Sequence, residues 1–460
     1  MINKKTSIII VIATILVLGL AILAINLGKD KDNKLKNSNN GTNIQDQLNK
    51  GDQDQLSKGD SETKGTEKSG DNLGEGNLNE DNNEENNNNE ENNKENNNSD
   101  GNEQANNNES SGKRKIEPVK ARALYLSGSS AGKSQVIDKV IKLAKTTELN
   151  AVVIDVKEAG VVNYKSDVPE VRDNGLYVEY YDPVSLIQKL HDNNIYVIGR
   201  IVCFLDNGLG TKRADLAIKQ TNGAPWKEGR LGVWVNPYYE EVRKYNIDIA
   251  KEAVEKGFDE IQFDYVRFPS GTGKKVDYGS NIPAKSEIIG EFLRTAKKEL
   301  HDERGVFVSA DVFGIICLDK NTKNTIGQDL ETVGLDIDYI CPMVYPSHYA
   351  NASTDHYSGN GVGQNINGIL FTAPDLEPYK VIYNTLLVAK DRLSKVNGYN
   401  AKVRPYLQSF TASYLPKGYY KNYGAEEIRQ QIKAVYDAGY EEWILWNSGN
   451  IYPDGAFEKK

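Results

Sequence analysis

The amino-acid sequence predicts an α/β fold. Residues 116–460 read as a (β/α)8 barrel, preceded by an N-terminal transmembrane helix (1–28) and a disordered linker (29–115). Three observations predict it. The composition changes abruptly twice along the chain, short β-rich runs then alternate eight times with amphipathic stretches, and the polar residues inside those runs share one face.

The first segment carries Lys4 and Lys5 ahead of an apolar run from Ile8 to Ile25 that only Thr14 interrupts. Eighteen residues rising about 1.5 Å each reach roughly 27 Å, near the hydrocarbon thickness of a bilayer. The best cleavage site for a signal peptidase, around Ala21 and Ala24, is poor, so an uncleaved anchor is expected. The two lysines place the short N-terminal end in the cytoplasm and the rest of the chain on the extracytoplasmic side of the cell membrane; cleavage would make it a secreted protein.

The linker is dominated by Asn, Glu, Asp, Gly and Lys, as in "NEENNNNEENNKENNNSDG". With almost no aromatic or β-branched residues it cannot bury enough surface to offset its chain entropy, and it reads as a spacer. The whole chain has a net charge of −9, and residues 29–112 carry 9 lysines against 20 acidic residues. Residues 113–460 are therefore electrically balanced, which argues against a nucleic-acid partner, since phosphates require a basic face. The cysteines, Cys203, Cys317 and Cys341, are odd in number and lie in or just after strand candidates. They read as buried small hydrophobes rather than a disulfide framework.

The strand candidates are 121–127, 151–158, 196–204, 260–268, 306–314, 339–345, 402–410 and 442–448. Between them lie helical patterns such as "KSQVIDKVIKLAKTT", "DPVSLIQKLHDNN", "YYEEVRKYNIDIAKEAVEKG" and "AEEIRQQIKAVYDAG". The last two close on a glycine suited to a helix C-cap. The link between the fifth and sixth strands is the weakest, with only "GQDLETVGLD" to form a helix. The turn "SGSSAGKS" after the first strand has three residues between Gly128 and Gly132 where a phosphate loop needs four, and it reads as a small-residue turn.

In a barrel strand alternate residues face the helices and the lumen. Val152, Ile154 and Val156 form one helix-facing set; Val308, Ala310 and Val312, then Val403, Pro405 and Leu407, form others. The opposite parity collects Asp155 and Lys157, Arg200, Gln262 and Asp264, Ser309 and Asp311, and Arg404 and Gln408. Five strands thus turn ionisable or amide groups inward, mostly near their C-terminal ends, where barrel enzymes place their chemistry.

Glycoside cleavage needs two carboxyl groups across the bond, one to protonate the leaving oxygen and one to attack or to activate water. Strands lie about 4.8 Å apart, so Asp264 and Asp311 on adjacent strands suit that work. Arg200 and Arg267 would hold a neighbouring carboxylate ionised. Each residue also has a structural reading: Asp264 as an ion-pair partner of Arg200, Asp311 as part of a satisfied polar layer, Asp155 and Lys157 as a salt-bridged pair. Glu158 has helix-side parity but lies past the strand end, where alternation fails, and is the alternative acid. Trp226, Trp234, Tyr345, His348, Trp446 and Asn447 sit where sugar rings could stack or bond, although Trp443 reads as packing. The spacing of His348, Asp355 and His356 matches no zinc motif, and no G-x-S-x-G elbow follows a strand.

The strings "VVIDVKEAGVVNY", "WVNPYYEEV", "FDEIQFDYVRFP", "SADVFG", "CPMVYPSHY" and "WILWNSGN" occur in this order over residues 118–453. Together they resemble the bacterial "putative glycosyl hydrolase domain" family, an exported TIM-barrel family related to α-amylase-type glycosidases. The resemblance implies that Asp264, at the end of strand four, is the nucleophile. It implies a general acid on strand five, where this sequence has Asp311 in place of the usual glutamate. The family's second strand often carries an acidic pair after its lysine, and here Glu158 is followed by Ala159.

The expectation is therefore a membrane-anchored, extracytoplasmic glycoside hydrolase acting on a cell-envelope or extracellular polysaccharide. Asp264 and Asp311 are its catalytic residues, with Glu158 in reserve. Asp155, Lys157, Arg200, Arg267, Trp234, Tyr345, His348, Gln408, Trp446 and Asn447 bind substrate, without metal or cofactor. The alternative is a catalytically inactive barrel that binds carbohydrate.

Overall fold

A computed structural model describes residues 113–229 and 232–460. The expected membrane helix, and the linker as far as residue 112, lie outside the described residues. Among the described residues no helix is long and apolar enough to cross a membrane.

Eight parallel strands close into a barrel: β1 (Arg122–Leu126), β2 (Ala151–Glu158), β3 (Tyr196–Val202), β4 (Glu260–Asp264), β5 (Phe307–Phe313), β6 (Tyr339–Met343), β7 (Tyr406–Gln408) and β8 (Trp443–Trp446). Each pairs with the next in the chain, and β8 returns to β1 with Arg122 opposite Trp443, so no edge strand remains. All eight lie within the predicted runs. The fourth ends earlier than its sequence pattern, because Tyr265 takes φ 48° and leaves the ladder. Pro405 has no N–H to give, and the two residues before Arg404, Lys402–Val403, pair separately with β6.

Seven helices cover the strands: α1 (Ser134–Thr146), α2 (Pro183–His191), α3 (Glu240–Lys256), α4 (Lys285–Ala296), α5 (Leu330–Val333), α6 (Pro378–Leu393) and α7 (Ala425–Asp437). The Asp182 carboxylate caps α2 by accepting from the Val184 N–H, with Pro183 at the first helical position. Gly257, at φ 115°, stops α3 as its position in the sequence suggested. The weak α5 signal yields only four residues. The eighth β-then-α unit departs from expectation: β8 is followed by the 3-10 turn Asp454–Ala456, and Phe457 stacks on Trp443 at 6.2 Å.

The strand alternation divides the core in two. Val152, Ile154, Val156, Ile261, Phe263, Val308, Val312 and Leu407 pack outward against Ile137, Ile187, Ile247 and Phe292 of the helices. Ala123, Tyr125, Val153, Ile198, Cys341, Tyr406 and Ile444 fill the lumen. Burying each large apolar side chain contributes about 1.5–3 kcal/mol before chain entropy is counted. The three cysteines are free and buried. At the N-terminal end of the lumen the fully buried Arg404 bonds Glu260 at 2.7 Å and Glu442 at 2.8 Å, and lies 3.8 Å from the Tyr339 ring centroid. Asp338, at that same end, accepts from the Val308 N–H and pairs with Lys297 and His301, a structural role.

Candidate active site

At the opposite end of the lumen, the last turns of β2 to β5 bring four carboxyl groups around one guanidinium. Arg200 donates from Nη1 to Asp155 Oδ1 at 2.5 Å, and from Nη2 and Nε to Asp264 Oδ2 at 2.5 and 3.0 Å. Asp311 Oδ2 stands 3.8 Å from the same Nε. The remaining oxygens of the paired aspartates are also occupied. The Tyr125 hydroxyl donates to Asp155 Oδ2 at 2.6 Å, and the Tyr265 N–H donates to Asp264 Oδ1 at 2.6 Å.

Asp311 and Glu158 differ from those two. Burial pushes the Asp311 carboxyl well above the usual carboxylate range, the nearby Asp264 charge pushes the same way, and Arg200 opposes both. Its Oδ1 is buried without a hydrogen-bond partner. Glu158 is pushed up to about 8, first by burial, then by the Asp155 charge and a hydrogen bond to Asp155. Around one cation the environment thus divides the carboxyls into two that are ion-paired and two, Asp311 and Glu158, that burial pushes toward the protonated form.

Glu158 reaches this position through an irregularity. The pairing of β2 with β3 slips between Asp155 and Lys157, a bulge that exchanges the faces of the residues after it. Lys157, expected in the lumen, is turned behind the strand and fully buried. There its Nζ donates to Asp206 at 2.6 Å and Asn246 at 2.8 Å, 4.7 Å from the Tyr245 ring centroid. Glu158, with helix-side parity, turns into the pocket instead.

Glu158, Arg200, Asp264, Arg267, Asp311, Tyr345, His348 and Trp446 line one cavity of about 230 Å3, with Asp155 directly beneath Arg200. This is smaller than the roughly 300–1,000 Å3 typical of sites for drug-sized ligands, and suits a small ring. One wall is aromatic: Trp446 lies 6.1 Å from Tyr125 and 6.0 Å from Tyr345, with both pairs of planes inclined by about 30°, and His348 meets Tyr345 edge-on at 5.1 Å. Burial lowers the His348 imidazole to about 4, so it stands neutral in the wall. Arg267 lies among the rings of Trp234, Tyr265 and Phe313, 4.5–5.1 Å from their centroids, and burial lowers its affinity for its proton.

Five expected substrate contacts do not line the cavity, and Asp155, fully buried with both carboxylate oxygens bonded to Tyr125 and Arg200, is one of them. Besides Lys157, Trp234 is fully buried beneath Arg267, because the loop after β3 folds it into the core. Gln408 accepts from the Ser347 N–H and hydroxyl and donates to Asp375, tying the loop after β6 to β7. Asn447 bonds the Ser409 carbonyl and accepts from the Gly449 N–H. Tyr125 and Tyr406 line the cavity without having been singled out. Both have lumen parity, and applying the alternation to aromatic as well as polar residues would have found them. Among the described residues no group of three or more His, Cys, Asp or Glu is disposed to hold a metal ion. Arg200 occupies the centre of the carboxylates, where a cation would sit.

A hypothetical protein from Ruminiclostridium thermocellum is 45% identical to this chain, covering 41% of it and 97% of its own length, with a TM-score of 0.39. The PgaB (BpsB) glycoside hydrolase domain from Bordetella bronchiseptica is 12% identical, covers 74% of this chain and 99% of its own, and shares the fold at a TM-score of 0.52. The spore cortex-lytic enzyme SleL of Bacillus megaterium is 16% identical, with 74% of each chain covered and a TM-score of 0.42. No curated protein matches the chain. The family match spans residues 123–452, nearly the whole barrel, and the chain belongs to the family described as "Putative glycosyl hydrolase domain".

Proposed function

We propose that this protein is a membrane-anchored, extracytoplasmic glycoside hydrolase acting on a cell-envelope or extracellular polysaccharide. The observation that carries the reading is the division of carboxyls around Arg200. A glycosidic bond is broken by one group that gives a proton and one that attacks or directs water, and pairs of carboxyls whose environments push them apart supply such roles. Asp264, ion-paired with Arg200, is the attacking or water-directing carboxylate, as its likeness to the amylase-type nucleophile position implies. The proton comes from a carboxyl that burial pushes toward its protonated form, Asp311 or Glu158. The aromatic wall of Trp446, Tyr345 and Tyr125 offers faces on which sugar C–H groups stack. Family membership supports hydrolysis in general, and the apolar run from Ile8 to Ile25 with the polar linker supports display outside the membrane.

Release of reducing ends from isolated envelope polysaccharide by the purified protein, beside its Asp264→Asn variant, tests the reading. Release by the wild type that falls on the order of 10^3-fold or more in the variant supports it. A second reading, a barrel that binds polysaccharide without cleaving it, is favoured by the full occupancy of both Asp264 oxygens, Oδ2 by Arg200 and Oδ1 by the Tyr265 N–H. Equal binding by both proteins with no release from either would establish it instead.

A further inference from the structure

Burial raises two pocket carboxyls, Asp311 and Glu158, and the backbone distinguishes them. Among the described residues six non-glycine positions have positive φ, and four are asparagines, which tolerate the left-handed region. The other two are Ala159 at φ 49° and Tyr265 at φ 48°. Each directly follows a pocket carboxyl, Ala159 after Glu158 and Tyr265 after Asp264, and both line the cavity. Such backbone is unfavourable for an ordinary side chain and persists only where its surroundings over-determine it, most often at functional sites.

The surroundings are visible in both places. Lys157 and Glu158 pair antiparallel with Val162 and Val161, and the two residues between, Ala159 and Gly160, both have positive φ. That hairpin turn ordinarily takes Asn-Gly. Gly160 packs against the backbone of Gly208 so closely that a Cβ on either would collide with the other. From the rear, Lys157 is anchored to Asp206 of the same loop. The hairpin is held on both sides, and Glu158 at its start is turned into the cavity, accepting from the Gly128 N–H. Facing it are Asp155, Arg200, Tyr125 and Tyr181. At Tyr265 the left-handed turn aims the backbone N–H at Asp264 Oδ1. Asp311, by contrast, lies within the regular ladder of β5, opposite Cys341, and is 1% exposed, whereas Glu158 is partly open to the cavity.

We infer that Glu158 and Asp264 are the pair that acts on the glycosidic bond, with Glu158 as the proton donor, and that Ala159, Tyr265 and Asp311 are positioning residues. This rests on the glycoside hydrolase reading. The Glu158 proton passes to the glycosidic oxygen as the bond from that oxygen to the anomeric carbon breaks. A new bond forms from that carbon to Asp264, or to a water that Asp264 deprotonates. Where Asp264 bonds the sugar, water later displaces it and returns a proton to Glu158; either way one water is consumed per bond.

The test is a pH series on the full chain, reading reducing-end release from isolated envelope polysaccharide together with the infrared band of protonated carboxyls. The wild type should lose turnover on an alkaline limb near pH 8, with a carboxyl band that titrates in step. Glu158→Gln should lower turnover by about 10^2- to 10^4-fold and remove both the limb and the band. Asp311→Asn should lower turnover less and keep both. Ala159→Val should shift the limb, whereas Ala159→Gly, which adopts the same φ without strain, should leave its position in place. If Asp311→Asn removes the limb and band while Glu158→Gln retains them, the inference is overturned and the hydrolase reading stands. If the wild type releases nothing, both fall together.

Discussion

The barrel lumen holds two buried arginine clusters, one at each end, and they are built differently. At the N-terminal end Arg404 meets Glu260 and Glu442, lies over the Tyr339 ring and is wholly enclosed. At the C-terminal end Arg200 meets Asp155 and Asp264, with Asp311 and Glu158 beside them, next to an open aromatic-walled cavity. Neither Glu260 nor Glu442 is followed by a residue in the left-handed region, whereas Glu158 and Asp264 both are. A buried ion pair is therefore no mark of chemistry by itself. What separates the upper cluster is a larger excess of carboxyls over cations, four around Arg200 against two around Arg404, together with an opening to solvent and backbone held where it would not otherwise rest.

The largest effects should fall on opposite properties of the two clusters. Asp264→Asn removes turnover on the order of 10^3-fold or more. It should leave most of the stability, because Arg200 keeps Asp155. Arg404→Met leaves Glu260 and Glu442 without their cation and should cost about 3–5 kcal/mol in urea unfolding, with turnover per folded molecule preserved. If Arg404→Met instead abolished turnover in folded protein, the division of labour between the two ends would be broken.

A smaller effect sharpens the contrast through pH. Glu158 is raised from its ordinary 4.5 to about 8 in the folded chain. The fold favours its protonated form, so its contribution is present in full below about pH 4.5 and is lost as the pH rises to about 8. Between pH 5 and pH 9 the wild type should lose about 1–3 kcal/mol more stability than Glu158→Gln, allowing for solvent screening at the cavity mouth. Equal losses would mean that Glu158 does not hold its proton. Smallest of all, Trp446→Ala removes one ring of the wall and should raise KM about 10-fold with little change in kcat, the worth of one aromatic contact. A fall in kcat alone would move Trp446 from binding to chemistry.

Much of this arrangement was legible beforehand. The eight strands, the inward parity of Asp155, Arg200, Asp264 and Asp311, and the aromatic ends of β6 and β8 follow from local alternation, which a strand's pleat imposes whatever its neighbours do. Only the tertiary structure decided the rest. Lys157 and Glu158 exchange faces because a bulge against β3 buries the lysine between Asp206 and Asn246, partners that lie 49 and 89 residues away. Trp234 and Gln408 were drawn from the pocket into packing by the loops that cover them. Periodicity is a property of one strand, whereas a bulge and a buried charge depend on what other segments bring to the same place.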